Sequence, residues 1–131
     1  RGAIQALSNY GYNLGMAFQV VDDVLDFIGD ETELGKPPGS DLSQGVLTLP
    51  TIIFLERYPD DDTVKKTLGS KIAEDIELAR GKICQATVIQ DCLDIAYNFS
   101  VQACQALEIL PDKFLRSYLV ELAHYVVRRK G

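Results

Sequence analysis

The sequence contains no tryptophan, one methionine and one histidine, and its 13 Lys and Arg are outnumbered by 19 Asp and Glu, for a net charge of −6. Proteins that bind nucleic acid or an anionic membrane surface concentrate basic residues to neutralise phosphates. The deficit therefore argues against both, and favours partners that are cationic or bridged by a metal. Cysteine is scarce as well. Cys84, Cys92 and Cys104 are odd in number and never take the Cys-x-x-Cys spacing that chelates zinc or cycles redox, so they read as small buried hydrophobes in a reducing, cytoplasmic compartment. Long apolar runs are missing too. Asp, Gln or Gly interrupts each one within a few residues, short of the roughly 20 needed to cross a bilayer. The opening Arg1-Gly2-Ala3-Ile4-Gln5-Ala6-Leu7 lacks the order of a signal peptide and reads as helix interior, as if the chain began part-way through something larger.

Strand-like alternation is weak, whereas apolar residues recur at three- and four-residue spacing almost throughout, and 47% of the 131 residues are hydrophobic. An all-α helical bundle forming a single domain is expected. The first helix runs from Ile4 to Ile28 and stops at Gly29. The stretch from Gly29 to Gly45 contains Gly35, Pro37, Pro38 and Gly39 and cannot be one continuous helix. Thr48-Leu49-Pro50 has the hydroxyl and early proline of a helix start, and that helix ends near Tyr58-Pro59. The Asp60-Asp61-Asp62 run precedes a short helix closed by Gly69. It reads as capping rather than metal binding, because three consecutive side chains at a helix entry point in different directions. Ser70 is expected to cap a helix that weakens around Gly81, and a further helix runs from Thr87 to Leu110. The last helix, after Pro111-Asp112, reaches Arg128 with Leu115, Leu119, Leu122 and Val126 as its apolar stripe. His124 falls roughly 200° from Leu122 and reads as a surface residue. With no second histidine, the Glu-x-x-His pairs of a di-iron bundle are unsupported.

The first helix carries the chemistry. Gly11, Gly15, Phe18, Gln19, Asp22, Asp23 and Asp26 fall within an arc of roughly 140°. Leu14, Met16, Ala17, Val20, Val21, Val24, Leu25 and Ile28 cover the rest, which places the helix centrally in the bundle. A charge run is usually a solvated face. Three carboxylates on an otherwise buried helix instead repel one another and lose hydration, on the order of several kcal/mol each unless a cation compensates. No Lys or Arg lies between Gly2 and Gly35 to do so. A hard divalent ion with oxygen ligands resolves this, and Mg²⁺ held by a few carboxylates, waters and phosphate oxygens fits best. Asp30-Glu31-Thr32-Glu33-Leu34-Gly35 lacks the ligand pattern of a calcium loop. Lys36 can then offer a positive charge to the same phosphates.

The run Gly15-Met-Ala-Phe-Gln-Val-Val-Asp22-Asp23-Val-Leu-Asp26, then Gly35-Lys36-Pro-Pro-Gly39-Ser-Asp41-Leu, then Leu47-Thr48-Leu49-Pro50, resembles the second aspartate-rich region of the trans-isoprenyl (polyprenyl) diphosphate synthases. Leu107-Glu-Ile-Leu110-Pro111 and the closing helix are similar to that family's C-terminus, so the likeness covers essentially the whole chain. The resemblance implies the C-terminal part of an all-α prenyltransferase, in which Mg²⁺ bridges an allylic diphosphate to two facing aspartate-rich motifs. Ionisation gives an allylic cation, the double bond of isopentenyl diphosphate attacks it, and proton loss leaves a prenyl chain five carbons longer. By position, Asp22, Asp23 and Asp26 serve the metal, with Asp22 first as direct ligand. Lys36 contacts the diphosphate, and Phe18 and Gln19 line the reacting end. The resemblance also implies a homodimer in the full-length protein and a product that associates with membrane.

Two departures qualify the likeness. The first aspartate-rich motif and the basic residues for isopentenyl diphosphate are expected upstream of Arg1, so the isolated chain is expected to be inactive. The position after Gly45, usually Lys in the family, is Val46. The alternative is a fragment of a non-catalytic partner subunit of a heteromeric synthase, in which Val46 reflects relaxed phosphate binding. The acid triad and Lys36 favour the catalytic reading.

Overall fold

The computed structural model describes residues 2–128, and every regular element among them is helical, as the periodicity requires. The elements are α1 (Gly2–Ile28), α2 (Glu31–Leu34), α3 (Ser40–Ser43), α4 (Leu49–Arg57), α5 (Asp62–Thr67), α6 (Ala73–Gln85), α7 (Val88–Ala106), a 3₁₀ turn (Leu107–Ile109) and α8 (Lys113–Arg128). The chain forms two compact units, one holding residues 2–21 and 93–128, the other residues 22–92. Among the described residues no helix is long and apolar enough to cross a membrane.

The first unit has a core of small residues. Ala6 and Tyr10 from α1, Ala103 from α7, Leu107 and Leu110 from the turn that follows, and Ala123 from α8 are all buried together. Alanines let helix backbones come close, and polar groups then bridge them. Tyr10 donates its hydroxyl proton to the Leu119 carbonyl at 2.7 Å, and Ser100 donates to the Ala123 carbonyl at 3.4 Å. This close packing corrects the apolar stripe expected on α8. Leu115 and Leu122 are 43% and 46% exposed, and the buried residues are Ala123 and Val126. The inward face is rotated by roughly 60° at about 100° per residue, because contact goes to the small side chain. His124 is exposed, as expected.

In the second unit Val24, Phe27, Leu42, Val64, Ile83 and Val88 are completely buried. Phe27, rather than the expected Ile28, is the inward residue at the end of α1, and Ile28 is 49% exposed. Pro50 sits in the first turn of α4 as expected, but the Thr48 side chain makes no cap hydrogen bond. Asp61 is the residue of the acidic run that caps α5. Its carboxylate accepts the Val64 N–H at 3.3 Å and pairs with Lys82 at 2.6 Å, and these contacts hold its pKa below the usual range. Ser70 does not cap α6. Its hydroxyl accepts the Ile72 N–H at 3.1 Å in a turn ahead of the helix, and α6 then runs unbroken through Gly81. The three cysteines are free thiols: Cys92 is fully buried, and Cys84 and Cys104 are half-buried. Burial pushes the Cys92 thiol up to about 11, so it stays protonated and chemically quiet.

Candidate functional site

The last two turns of α1 carry Asp22, Asp23 and Asp26 into the second unit. The three differ sharply in exposure: Asp22 is exposed, Asp23 half-buried, and Asp26 only 2% exposed. α1 ends with Gly29 donating its N–H to the Leu25 carbonyl at 2.7 Å. The loop that follows folds back on the helix end. Gly39 donates its N–H to the Asp26 carbonyl oxygen at 2.8 Å, Asp41 donates its N–H to Asp26 Oδ2 at 3.2 Å, and Lys36 Nζ lies 3.3 Å from Asp26 Oδ1. Gly39 adopts φ +82°, a left-handed conformation, and a Cβ there would meet Ile76 Cγ2 at 2.9 Å. Only glycine suits both demands. The Asp41 carbonyl then accepts the Val46 N–H at 2.9 Å.

The Thr48-Leu49-Pro50 segment closes the site on another side. The Leu49 backbone N–H, at the first turn of α4, lies near the Asp23 carboxylate and favours its charge. A helix start is a natural seat for a carboxylate, since its free N–H groups and dipole favour negative charge. Three stretches separated in sequence, 22–26, 36–41 and 48–50, thus converge on the aspartates. The electrostatics follow from that convergence. Burial, more than anything else, holds the Asp23 carboxyl above its usual pKa; the Leu49 N–H opposes this, and the charges of Asp41, Asp22 and Asp26 reinforce it. Asp41 is raised for the same reasons, chiefly burial and then Asp26, with Lys36 opposing. A folded-state pKa above the unfolded one means that ionisation costs stability. The cost is absent below the unfolded carboxylate range, near pH 4, and grows as pH rises through the elevated values.

Aspartates crowded in this way fit a cation. Among the described residues no group of three His, Cys, Asp or Glu side chains could hold a metal by themselves.

A family model for polyprenyl synthetases matches residues 1–85. The chain belongs to the polyprenyl synthetase family. Over 126 residues it is 35% identical to "Heptaprenyl diphosphate synthase component 2" of Bacillus subtilis (strain 168), covering 96% of this chain and 36% of that protein. The solved heptaprenyl diphosphate synthase of Staphylococcus aureus superposes with a TM-score of 0.90 at 29% identity, covering 98% of this chain and 41% of that one. The polyprenyl synthase of Caulobacter crescentus, crystallised with calcium and isoprenyl diphosphate, gives 0.89 at 33% identity, covering 97% and 40%. The chain spans about two fifths of the length of those relatives.

The structure brings Asp22, Asp23, Asp26 and Lys36 into one unit; Phe18 and Gln19 lie on α1 in the other, both exposed. Two participants escaped the sequence reading. Asp41 stood inside the quoted motif without a role, though its carboxyl shares the field of the aspartates. Arg80 carried no signal at all. It reaches across 53 residues to donate from Nη1 to the Phe27 carbonyl at 2.5 Å, tying the end of α1 to α6.

Proposed function

We propose that this chain is the C-terminal part of a trans-polyprenyl diphosphate synthase, a prenyltransferase that condenses an allylic diphosphate with isopentenyl diphosphate. The observation that supports the reading is the convergence of the motif segments on one helix end, Lys36 and Asp41 on Asp26 and Leu49 on Asp23, with Asp22 exposed beside them. Asp22, the exposed acid, and Asp23, near the Leu49 N–H, are the carboxylates that hold Mg²⁺. Bound Mg²⁺ offsets the negative charge that grows on the departing diphosphate. Lys36, 47% exposed, donates to the same diphosphate oxygens as the C–O bond breaks, and its fixed charge counts for most at that point. Phe18 and Gln19 precede Asp22 by one turn of α1 and line the reacting end, the aromatic face beside the allylic cation. The double bond of isopentenyl diphosphate then forms the new C–C bond, and a proton is lost from the adjacent carbon. A cytoplasmic homodimer whose lengthening product partitions into membrane completes the reading.

Incorporation of radiolabelled isopentenyl diphosphate tests it. The full-length protein that contains this chain is expected to make product only with an allylic diphosphate and Mg²⁺, and residues 1–131 alone none above background. Lack of Mg²⁺-dependent product from the full-length protein, alone or with a partner, refutes the proposal. A second reading, a subunit of a heteromeric synthase, is favoured by the similarity to a protein named as component 2. It predicts product only when the partner is present.

Val46 gives a sharper test. The residue is 45% exposed, so it does not pack under the loop, and its N–H is held by the Asp41 carbonyl. Val46→Lys is expected to leave the melting temperature nearly unchanged and to lower the KM for the allylic diphosphate. A well-placed charge-assisted contact is worth roughly 1.5–3 kcal/mol, about one to two factors of ten, less the entropy of ordering the side chain. An unchanged KM would show that position 46 does not face the diphosphate.

A further inference from the structure

We infer that Asp26 is a positioning residue rather than a metal ligand: it latches the loop carrying Lys36 and Asp41 onto the end of α1. The inference rests on the reading in which Asp22 and Asp23 hold the metal. Its first support is burial. At 2% exposure Asp26 has no room for the waters that Mg²⁺ retains, whereas Asp22 is exposed and Asp23 half-buried.

The second support is that two oxygens of Asp26 accept hydrogen bonds from the loop and the third faces the loop's lysine. Oδ2 accepts the Asp41 N–H at 3.2 Å, and the main-chain carbonyl accepts the Gly39 N–H at 2.8 Å. Oδ1 accepts no hydrogen bond, and the group facing it is Lys36 Nζ at 3.3 Å. A dication bound to Oδ1 at roughly 2.1 Å would sit against that ammonium, and like charges so close repel. The oxygen serves Lys36 or a metal, and the geometry assigns it to Lys36. α6 backs the loop from its far side: Ile76 stands where a Gly39 side chain would go, and Arg80 holds the Phe27 carbonyl. A buried carboxylate that also holds the loop's backbone thus fixes where the half-exposed Lys36 points.

The latch is tested in the full-length protein by Mn²⁺ titration with inorganic diphosphate, followed by electron paramagnetic resonance. Asp22→Asn is expected to weaken Mn²⁺ binding by about tenfold or more, the loss of a charge-assisted contact. Asp26→Asn keeps the shape and one oxygen for the Asp41 N–H, and should leave Mn²⁺ binding within about twofold, the scatter of independent sites, while raising the KM for the allylic diphosphate. Lys36→Met should raise that KM in the native background but add little to Asp26→Asn, because the two act as one unit. An Mn²⁺ loss in Asp26→Asn matching that of Asp22→Asn, or additive effects of Asp26→Asn and Lys36→Met, overturns the latch and leaves the metal reading standing. Intact Mn²⁺ binding in Asp22→Asn overturns both. Should Asp26→Asn not fold, Lys36→Met alone decides. Deuterium uptake by the 36–41 segment should quicken without the ammonium, and unchanged uptake overturns the latch.

Discussion

In the full-length protein Asp22→Ala is expected to lower kcat by about two to three orders of magnitude, the usual cost of removing one group that stabilises developing charge. Asp60→Ala should leave the rate within about twofold, as a surface substitution remote from the site. Both residues are exposed aspartates, so composition and local charge change equally, and only placement separates them. Asp22 belongs to the end of α1, within the field of Asp23 and Asp41. Asp60 precedes α5 and is not even its cap, a task that falls to Asp61. Initial rates of isopentenyl diphosphate incorporation, measured at equal folded fraction by circular dichroism, check the comparison. Similar losses in the two variants would remove Asp22 from the site.

Gly39→Val is expected to destabilise the protein by about 3 kcal/mol, combining the left-handed backbone penalty with overpacking. The residue has φ +82°, and its Cβ would lie 2.9 Å from Ile76 Cγ2, a buried side chain of α6. Gly35 supplies the control. Its φ of +72° carries the same backbone strain, but nothing lies within 4 Å of a Cβ there, so Gly35→Ala should cost only about 1 kcal/mol. Urea unfolding of both variants makes the test. Equal costs would mean that Ile76 yields, and that the loop is not boxed in against α6. Because Gly39 also donates its N–H to the Asp26 carbonyl, the valine variant should lose affinity for the allylic diphosphate as well as stability.

Much of the molecule can be read from local pattern. The extent of α1, the break from Gly29, the proline-led start of α4 and the reach of α8 to Arg128 all follow from rules that act over a few residues. The failures occurred where a distant partner outweighs a local signal. Ser70 looks like a cap, yet its hydroxyl accepts the Ile72 N–H in a turn just ahead of α6. Leu115 and Leu122 look like the buried stripe of α8, yet Ala123 is chosen because its small side chain admits α7. Gly81 looks like a weak point, yet packing of Ala79 and Ile83 on the same helix holds α6 straight through it. Propensity differences of about 1 kcal/mol are readily overridden by tertiary contacts.

The sequence alone determined the helical class and the family, because helical period, turn residues and motif spacing are properties of neighbours along the chain. It did not reveal how differently the acids are covered. Asp22, Asp23 and Asp26 share one face of one helix, and nothing in their spacing says that the first is open, the second shaded and the third enclosed. Exposure depends on what covers each residue, and the covers come from elsewhere: Lys36, Gly39 and Asp41 over Asp26, and Leu49 over Asp23. Only the tertiary structure decided that division, since the electrostatic fate of a carboxylate is set by the dielectric and the donors around it, not by its place in a motif.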